Sequence, residues 1–168
     1  MIYIFFRLCY NLRVKILTGS GTEEKDMNIA IGCDQGGYAM KTELMEYLKS
    51  KKIPFVDVGS YSEGSVDYPV YAKAVCEKIT SGECELGILV CGTGIGMSMA
   101  ANKIKGIRAA AVSDNYTAQA TRSHNDANVL CLGGRTIGIE LAKMLVDTFI
   151  STPFSGDERH ARRISMFS

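Results

Sequence analysis

The sequence predicts a single three-layer α/β/α domain on a Rossmann-like open sheet of five parallel strands. Three observations carry that prediction. Short apolar runs alternate five times with segments whose apolar residues recur at helical spacing, the pattern of repeated strand–helix units. One run, Leu86–Cys91, is apolar without interruption, as strands buried on both faces are. The chain has 168 residues, 46% hydrophobic and 22% charged, which suits one domain with a core and excludes wholesale disorder.

The elements follow in order from Met27. Asn28–Cys33 is the first strand, closed by the turn Asp34-Gln35-Gly36-Gly37. Tyr38–Lys51 carries Met40, Leu44, Tyr47 and Leu48 at helical spacing. Ile53–Val58 is the second strand, ended by Gly59. Pro69 suits a first helical turn, and Tyr71–Ser81 places Ala72, Val75, Cys76 and Ile79 on one face. Leu86–Cys91 is the third strand, followed by a glycine loop and a short helix near Met97–Ile104. Arg108–Val112 is the fourth strand, Tyr116–Ser123 a short helix and Asn128–Leu132 the fifth strand. Ile137–Ile150 is a long amphipathic helix, and a short basic helix is expected within Gly156–Arg163. In such a sheet, ligands bind beyond the carboxyl ends of the strands, near a switch in strand order.

Residues 1–26 read as an N-terminal extension outside this domain, which spans 27–168. Met1–Tyr10 is aromatic and apolar, and Thr18-Gly19-Ser20-Gly21-Thr22 reads as a joint. The positive residues Arg13 and Lys15 follow the apolar stretch, the reverse of a signal peptide's order.

The formal net charge is +1, which gives no global electrostatic case for nucleic acid or a membrane surface. No run of about 18 apolar residues marks a membrane helix. The six cysteines include no CxxC pair, and only His124 and His160 could add imidazole ligands, a pattern that argues against a metal site. Cysteine is also too sparse for a disulfide scaffold. Reduced thiols in a cytoplasmic protein are expected.

The chemistry concentrates at Cys91-Gly92-Thr93-Gly94-Ile95-Gly96. Cys91 ends a buried strand and a helix begins just after the loop. Alternate glycines let backbone N–H groups converge as an anion nest, and a helix N-terminus adds about half a positive charge. A thiol there should ionise readily and serve as base or nucleophile. The same position also suits a structural thiol beside a packing turn. A dinucleotide site is a rival reading, since Asp114 follows Gly94 by 20 residues, but the third glycine is one position early for the fingerprint. No Gly-Lys-Ser/Thr occurs, which excludes a P-loop.

His124 sits in a polar turn-like run, where an imidazole can move protons or simply cap a helix. Arg159 and Arg163 are four apart and share a helix face, as a phosphate grip or as a solvated end. Arg135 follows the fifth strand as a further anion contact. Asp34 follows the first strand, where it could accept from a sugar hydroxyl or cap the next helix.

Together these residues resemble the ribose-5-phosphate isomerase type B and galactose-6-phosphate isomerase subunit family. The matches are Gly32-Cys33-Asp34 before Gly36-Gly37, Asp67-Tyr68-Pro69, Cys91–Gly96, Ala100-Ala101-Asn102-Lys103, Gly106–Ala109, His124–Asn128, Gly133-Gly134-Arg135 and Arg159-His160…Arg163. They run in family order from Met27 nearly to the C-terminus. The resemblance implies aldose–ketose isomerisation of a phosphosugar, with no metal or organic cofactor. It makes Cys91 the base that moves a proton between C1 and C2 through an enediolate, and gives His124 the opening of the sugar ring. It places Thr93 and the amides of Gly94, Ile95 and Gly96, beside Gly92, around the enediolate oxygen. It puts Asp34, Gln35, Tyr68 and Asn125 on the sugar, and Arg135, Arg159 and Arg163 on the phosphate. It further implies a homodimer or homotetramer with sites at the subunit interface.

One residue departs from the family pattern. Members usually carry His directly after the Asp of the first motif, and here it is Gln35, which can hydrogen-bond but cannot carry charge or a proton. The leading expectation is interconversion of ribose 5-phosphate and ribulose 5-phosphate. The alternatives are a hexose 6-phosphate isomerase (allose or galactose 6-phosphate) and a non-catalytic phosphosugar-binding protein.

Overall fold

The computed structural model describes residues 13–18 and 21–167. β1 (Arg13–Thr18) and β2 (Gly21–Asp26) pair antiparallel as a sheet of their own. The sequence reading names no strand here and reads Thr18–Thr22 as a joint. The apolar Met1–Tyr10 stretch lies outside the described residues.

The domain follows as β3 (Ile29–Cys33), α1 (Tyr38–Ser50), β4 (Phe55–Asp57), α2 (Tyr68–Thr80) and β5 (Leu86–Cys91). Then come α3 (Ile95–Ala101), β6 (Ala109–Ala111), α4 (Asn115–Asn125), β7 (Val129–Gly133), α5 (Ile139–Ser151) and α6 (Glu158–Ile164). The sheet is five-stranded and parallel throughout, in the order β4-β3-β5-β7-β6, as the sequence predicts. The chain steps outward from β3 to β4, then crosses back to β5 on the other side of β3. That reversal puts the switch point between the carboxyl ends of β3 and β5.

The three central strands are buried along their whole length, which is why continuous apolar runs were legible there. Side chains alternate between the two faces with the strand period of two. Ile29, Ile31, Ile88, Val90, Leu130 and Leu132 meet α1, α4 and α5, through Leu44, Leu48, Ala118, Leu145 and Phe149. Ala30, Leu89, Cys91, Val129 and Cys131 meet α2 and α3, through Ala72, Val75, Cys76 and Met97.

Two strands are shorter than expected. β4 and β6 hold three residues each and pair on one side only. Pro54, inside the expected Ile53–Val58 strand, has no N–H to give and contributes only its carbonyl, to the Ile29 amide at 3.2 Å. Helix α2 begins at Tyr68, three residues early, because Pro69 fits its first turn. Helix α4 runs through His124 and Asn125, so neither lies in a turn.

Candidate active site

The carboxyl edge of the sheet gathers the loops after β3, β5 and β7. They are laced backbone to backbone. The Asp34 amide donates to the Val90 carbonyl at 3.1 Å, Gly134 to Cys91 at 2.7 Å and Arg135 to Gly92 at 3.0 Å. Glycine is required where they meet: a Cβ at Gly36 would stand 2.9 Å from the Gly92 amide nitrogen.

Cys91 is buried at the bottom of this junction. The Gly94 amide donates to its Sγ at 3.0 Å, which fixes the sulfur against the mouth of α3. Gly94 holds φ +78°, the left-handed turn that aims its amide back at the sulfur. Thr93 is exposed beside it, and its Oγ1 accepts from the Ile95 amide at 3.3 Å. The first turn of α3 has no intrahelical partners for its amides, so donors converge just beyond the sulfur.

Burial pushes Cys33 up to about 11 and Cys76 up to about 12, and raises Cys131 as well.

Three further groups from the sequence reading come to this edge. Asp34 is buried, and its Oδ1 accepts from the Gly36 and Gly37 amides at 2.8 and 3.1 Å. This oxygen therefore orders the turn. The Tyr68 ring lies over the start of α3, with its Cζ 3.1 Å from where a Gly96 Cβ would stand. Arg135 is exposed and lies along Gly92, with its Cδ 3.5 Å from a Cβ placed there. Gln35 turns to the neighbouring loop, where its Oε1 accepts from the Val66 amide at 3.0 Å.

The remaining predicted residues do not reach this edge within one chain. α4 runs antiparallel to the strands, so its last turn lies where they begin. Asp126, one residue past α4, bonds Arg108 at the entry to β6 at 2.8 Å. His124 and Asn125 are exposed at that opposite edge. β7 alone, five residues long, spans roughly 16 Å between the two edges.

A second cluster forms there. α6 docks against α4, with the Ser155 amide donating to the Ser123 carbonyl at 3.0 Å. His124 and His160 stack with ring centroids 4.5 Å apart and planes 7° from parallel. α6 therefore carries Arg159 and Arg163, both exposed, beside His124. His160 is buried, and its Nε2 has no hydrogen-bond partner among the described residues. Burial lowers its pKa, helped by His124 and Arg159.

Sequence reasoning missed the roles of two groups, Lys41 and His160. Lys41 is 1% exposed and binds Asp57 at 2.6 Å and the Ser60 carbonyl at 2.8 Å, under the loop that leads to Tyr68. Its spacing from Leu44 and Leu48 puts it on the buried stripe of α1, a signal that was there to read. His160 had no such signal, since exposed charged residues flank it. Asp114, the acidic residue of the dinucleotide reading, accepts from the Thr117 amide at 2.9 Å and caps α4. That bonding also lowers its pKa. Among the described residues no group of three His, Cys, Asp or Glu is placed to hold a metal ion, and no helix is long and apolar enough to cross a membrane.

The order of these loops along the chain matches a known family. The family model described as Ribose/Galactose Isomerase covers residues 29–167. The chain belongs to that family. It is 46% identical over 136 residues to ribose-5-phosphate isomerase B of Escherichia coli, covering 81% of this chain and 91% of that protein. It is 44% identical to galactose-6-phosphate isomerase subunit LacB of Clostridium acetobutylicum, covering 76% of this chain and 74% of that one. The crystal structure of a ribose 5-phosphate isomerase from Thermotoga maritima superposes with a TM-score of 0.82. It is 52% identical and matches 84% of this chain and 97% of that chain.

Proposed function

We propose that this protein interconverts ribose 5-phosphate and ribulose 5-phosphate. The observation that carries the reading is the Gly94 amide on Cys91 Sγ at 3.0 Å, at an edge shared with Asp34, Tyr68 and Arg135. A sulfur fixed in this way at a helix mouth is placed to act as a base beside ready-made donors.

The chemistry balances without a co-reactant. The Cys91 thiolate takes the C2 proton of the open-chain aldose, and the electron pair moves to C1=C2 with negative charge on O1. Thr93 and the amides of the first turn of α3 stabilise that oxygen. The thiol returns its proton to C1 and the O2 proton passes to O1, so that the C2 carbonyl forms with O1 left as a hydroxyl. His124 assists ring opening beforehand, and Arg135, Arg159 and Arg163 hold the phosphate. Asp34, Tyr68 and Asn125 contact sugar oxygens.

His124, Asn125, Arg159 and Arg163 stand at the far edge of their own sheet, so they serve a second copy's Cys91. The working unit in this reading is a homodimer or a multiple of one, in the cytoplasm. Residues 1–26 are an appended segment ahead of the domain, a reading supported by the family match beginning at residue 29.

The test is turnover. Purified protein is given ribose 5-phosphate, allose 6-phosphate and galactose 6-phosphate in turn, and ketose is measured. Ribose 5-phosphate should be preferred, and Cys91→Ala should abolish turnover while retaining binding. Turnover retained in Cys91→Ala refutes the base. Preference for a hexose phosphate moves the substrate, a reading favoured by the 44% identity to the galactose-6-phosphate isomerase subunit. Binding without turnover of any sugar leaves a phosphosugar-binding protein.

A further inference from the structure

Residue 35 is where the chain departs from its family's usual His, and the structure shows what the replacement does. Gln35 Oε1 accepts from the Val66 amide at 3.0 Å, joining residues 31 apart. Only the side-chain oxygen can meet an N–H, so the orientation of the amide is fixed by its partner.

Val66 belongs to the loop between β4 and α2. The root of this loop is held separately: Lys41 bonds Asp57 and the Ser60 carbonyl, and the Cys33 amide donates to the Gly59 carbonyl at 2.6 Å. Beyond that root the loop has little to hold it. Among the described residues, 62–66 otherwise bond only within the loop, through the Ser60 and Ser62 hydroxyls. The Gln35–Val66 bond is thus what ties the far half of the loop to the floor of the site. Two residues later the chain reaches Tyr68, whose ring covers Gly96 at the mouth of α3.

We propose that Gln35 is a positioning residue. Its side-chain carbonyl latches Val66 and thereby sets Tyr68 over the amides that face the sugar. This inference rests on the isomerase reading for its kinetic consequence, but the latch itself does not. A neutral amide also makes the latch insensitive to pH, unlike the imidazole it replaces.

Amide hydrogen exchange at Val66, followed in the full-length protein without substrate, tests the latch directly. Gln35→Ala should lose protection at Val66, whereas Gln35→Glu, which keeps an acceptor, should retain it. Equal exchange in wild type and Gln35→Ala overturns the proposal, whatever the protein turns over.

Kinetics with ribose 5-phosphate then separate positioning from contact. Gln35→Ala should raise KM by about fivefold, the scale of one lost hydrogen bond, with kcat within about twofold. Val66→Pro removes the donor and should do the same, with no further loss in the double variant. If Gln35 instead touched the phosphate, a carboxylate there would repel it, and Gln35→Glu would bind worse than Gln35→Ala. That order refutes the latch, even if Val66→Pro fails to fold. Loss of Val66 protection in a protein that isomerises no sugar phosphate would support the latch and sink the function.

Discussion

Asp57→Ala should destabilise the domain more than Lys41→Met, although each breaks the same ion pair. Lys41 is 1% exposed and its partner's side chain 24%. Removing Asp57 strands an ammonium in the interior, where an unpaired charge costs about 3 kcal/mol or more. Removing Lys41 leaves a carboxylate that water reaches and that still accepts from the Gly59 amide at 3.0 Å. Met fills the space of the apolar stem. The remaining penalty is the buried Ser60 carbonyl, which keeps the Cys33 thiol at 3.7 Å, so the loss is about 1–2 kcal/mol. At roughly 3 °C per kcal/mol for a domain of this size, Asp57→Ala should lower Tm by about 10 °C and Lys41→Met by about 3–6 °C. Thermal and urea unfolding at neutral pH measure both. A Lys41→Met loss equal to or larger than that of Asp57→Ala would refute the reasoning, because the cost would then lie in packing and not in an uncompensated charge.

Two further outcomes follow from the junction around Cys91. Gly94→Ala forces a side chain into φ +78° with its Cβ 3.1 Å from the Cys131 carbonyl oxygen, so stability should fall by about 1–2 kcal/mol. Because the same amide holds Cys91 Sγ, turnover should drop further than stability explains; activity at a temperature where the variant is fully folded checks this. At alkaline pH the buried thiols set the slope. Unfolded thiols release protons from about pH 9, but folded Cys33 and Cys76 hold theirs to about 11 and 12. The unfolded state therefore binds fewer protons in that window, and stability falls as pH rises through it. Urea midpoints between pH 8 and 10.5 should show the decline, and Cys76→Ala should flatten it even while lowering stability overall.

The fold was legible where burial is two-sided. Leu86–Cys91 could be bounded to the residue because both faces of β5 are covered, and the sequence carries that as an unbroken apolar run. β4 and β6 were overestimated because an edge strand pairs on one side only, and apolar flanks such as Ile53 and Val112 look like strand although they belong to loops packed on the core. The loop geometry at Cys91 was equally legible, since alternate glycines after a buried strand leave few other arrangements. What the sequence could not reveal was partners. The spacing of Lys41 sets it on the buried stripe of α1, but only the fold shows it held between Asp57 and Ser60. Gln35 reads as a substrate contact, and only the tertiary return of the loop shows its oxygen already taken by Val66.

The two clusters at opposite edges of the sheet make a prediction that a one-chain site cannot share. Cys91 ends β5, while His124 ends a helix that runs back along the sheet, so in one chain they are about a strand length apart. Proton transfer needs contact through a hydrogen bond or a single water. If two copies associate about a twofold axis, each site takes Cys91 from one chain and His124 with its arginines from the other. Cys91→Ala and His124→Ala would each be inactive alone. In a heterodimer of the two, purified with different tags, one site carries both lesions and the other carries neither. It should therefore show about half the wild-type turnover per dimer, with the wild-type KM. Recovery on that scale requires the site to be shared. A heterodimer as inactive as its parents would mean that Cys91 and His124 act from the same chain, and the geometry would then demand that α4 and α6 move before catalysis.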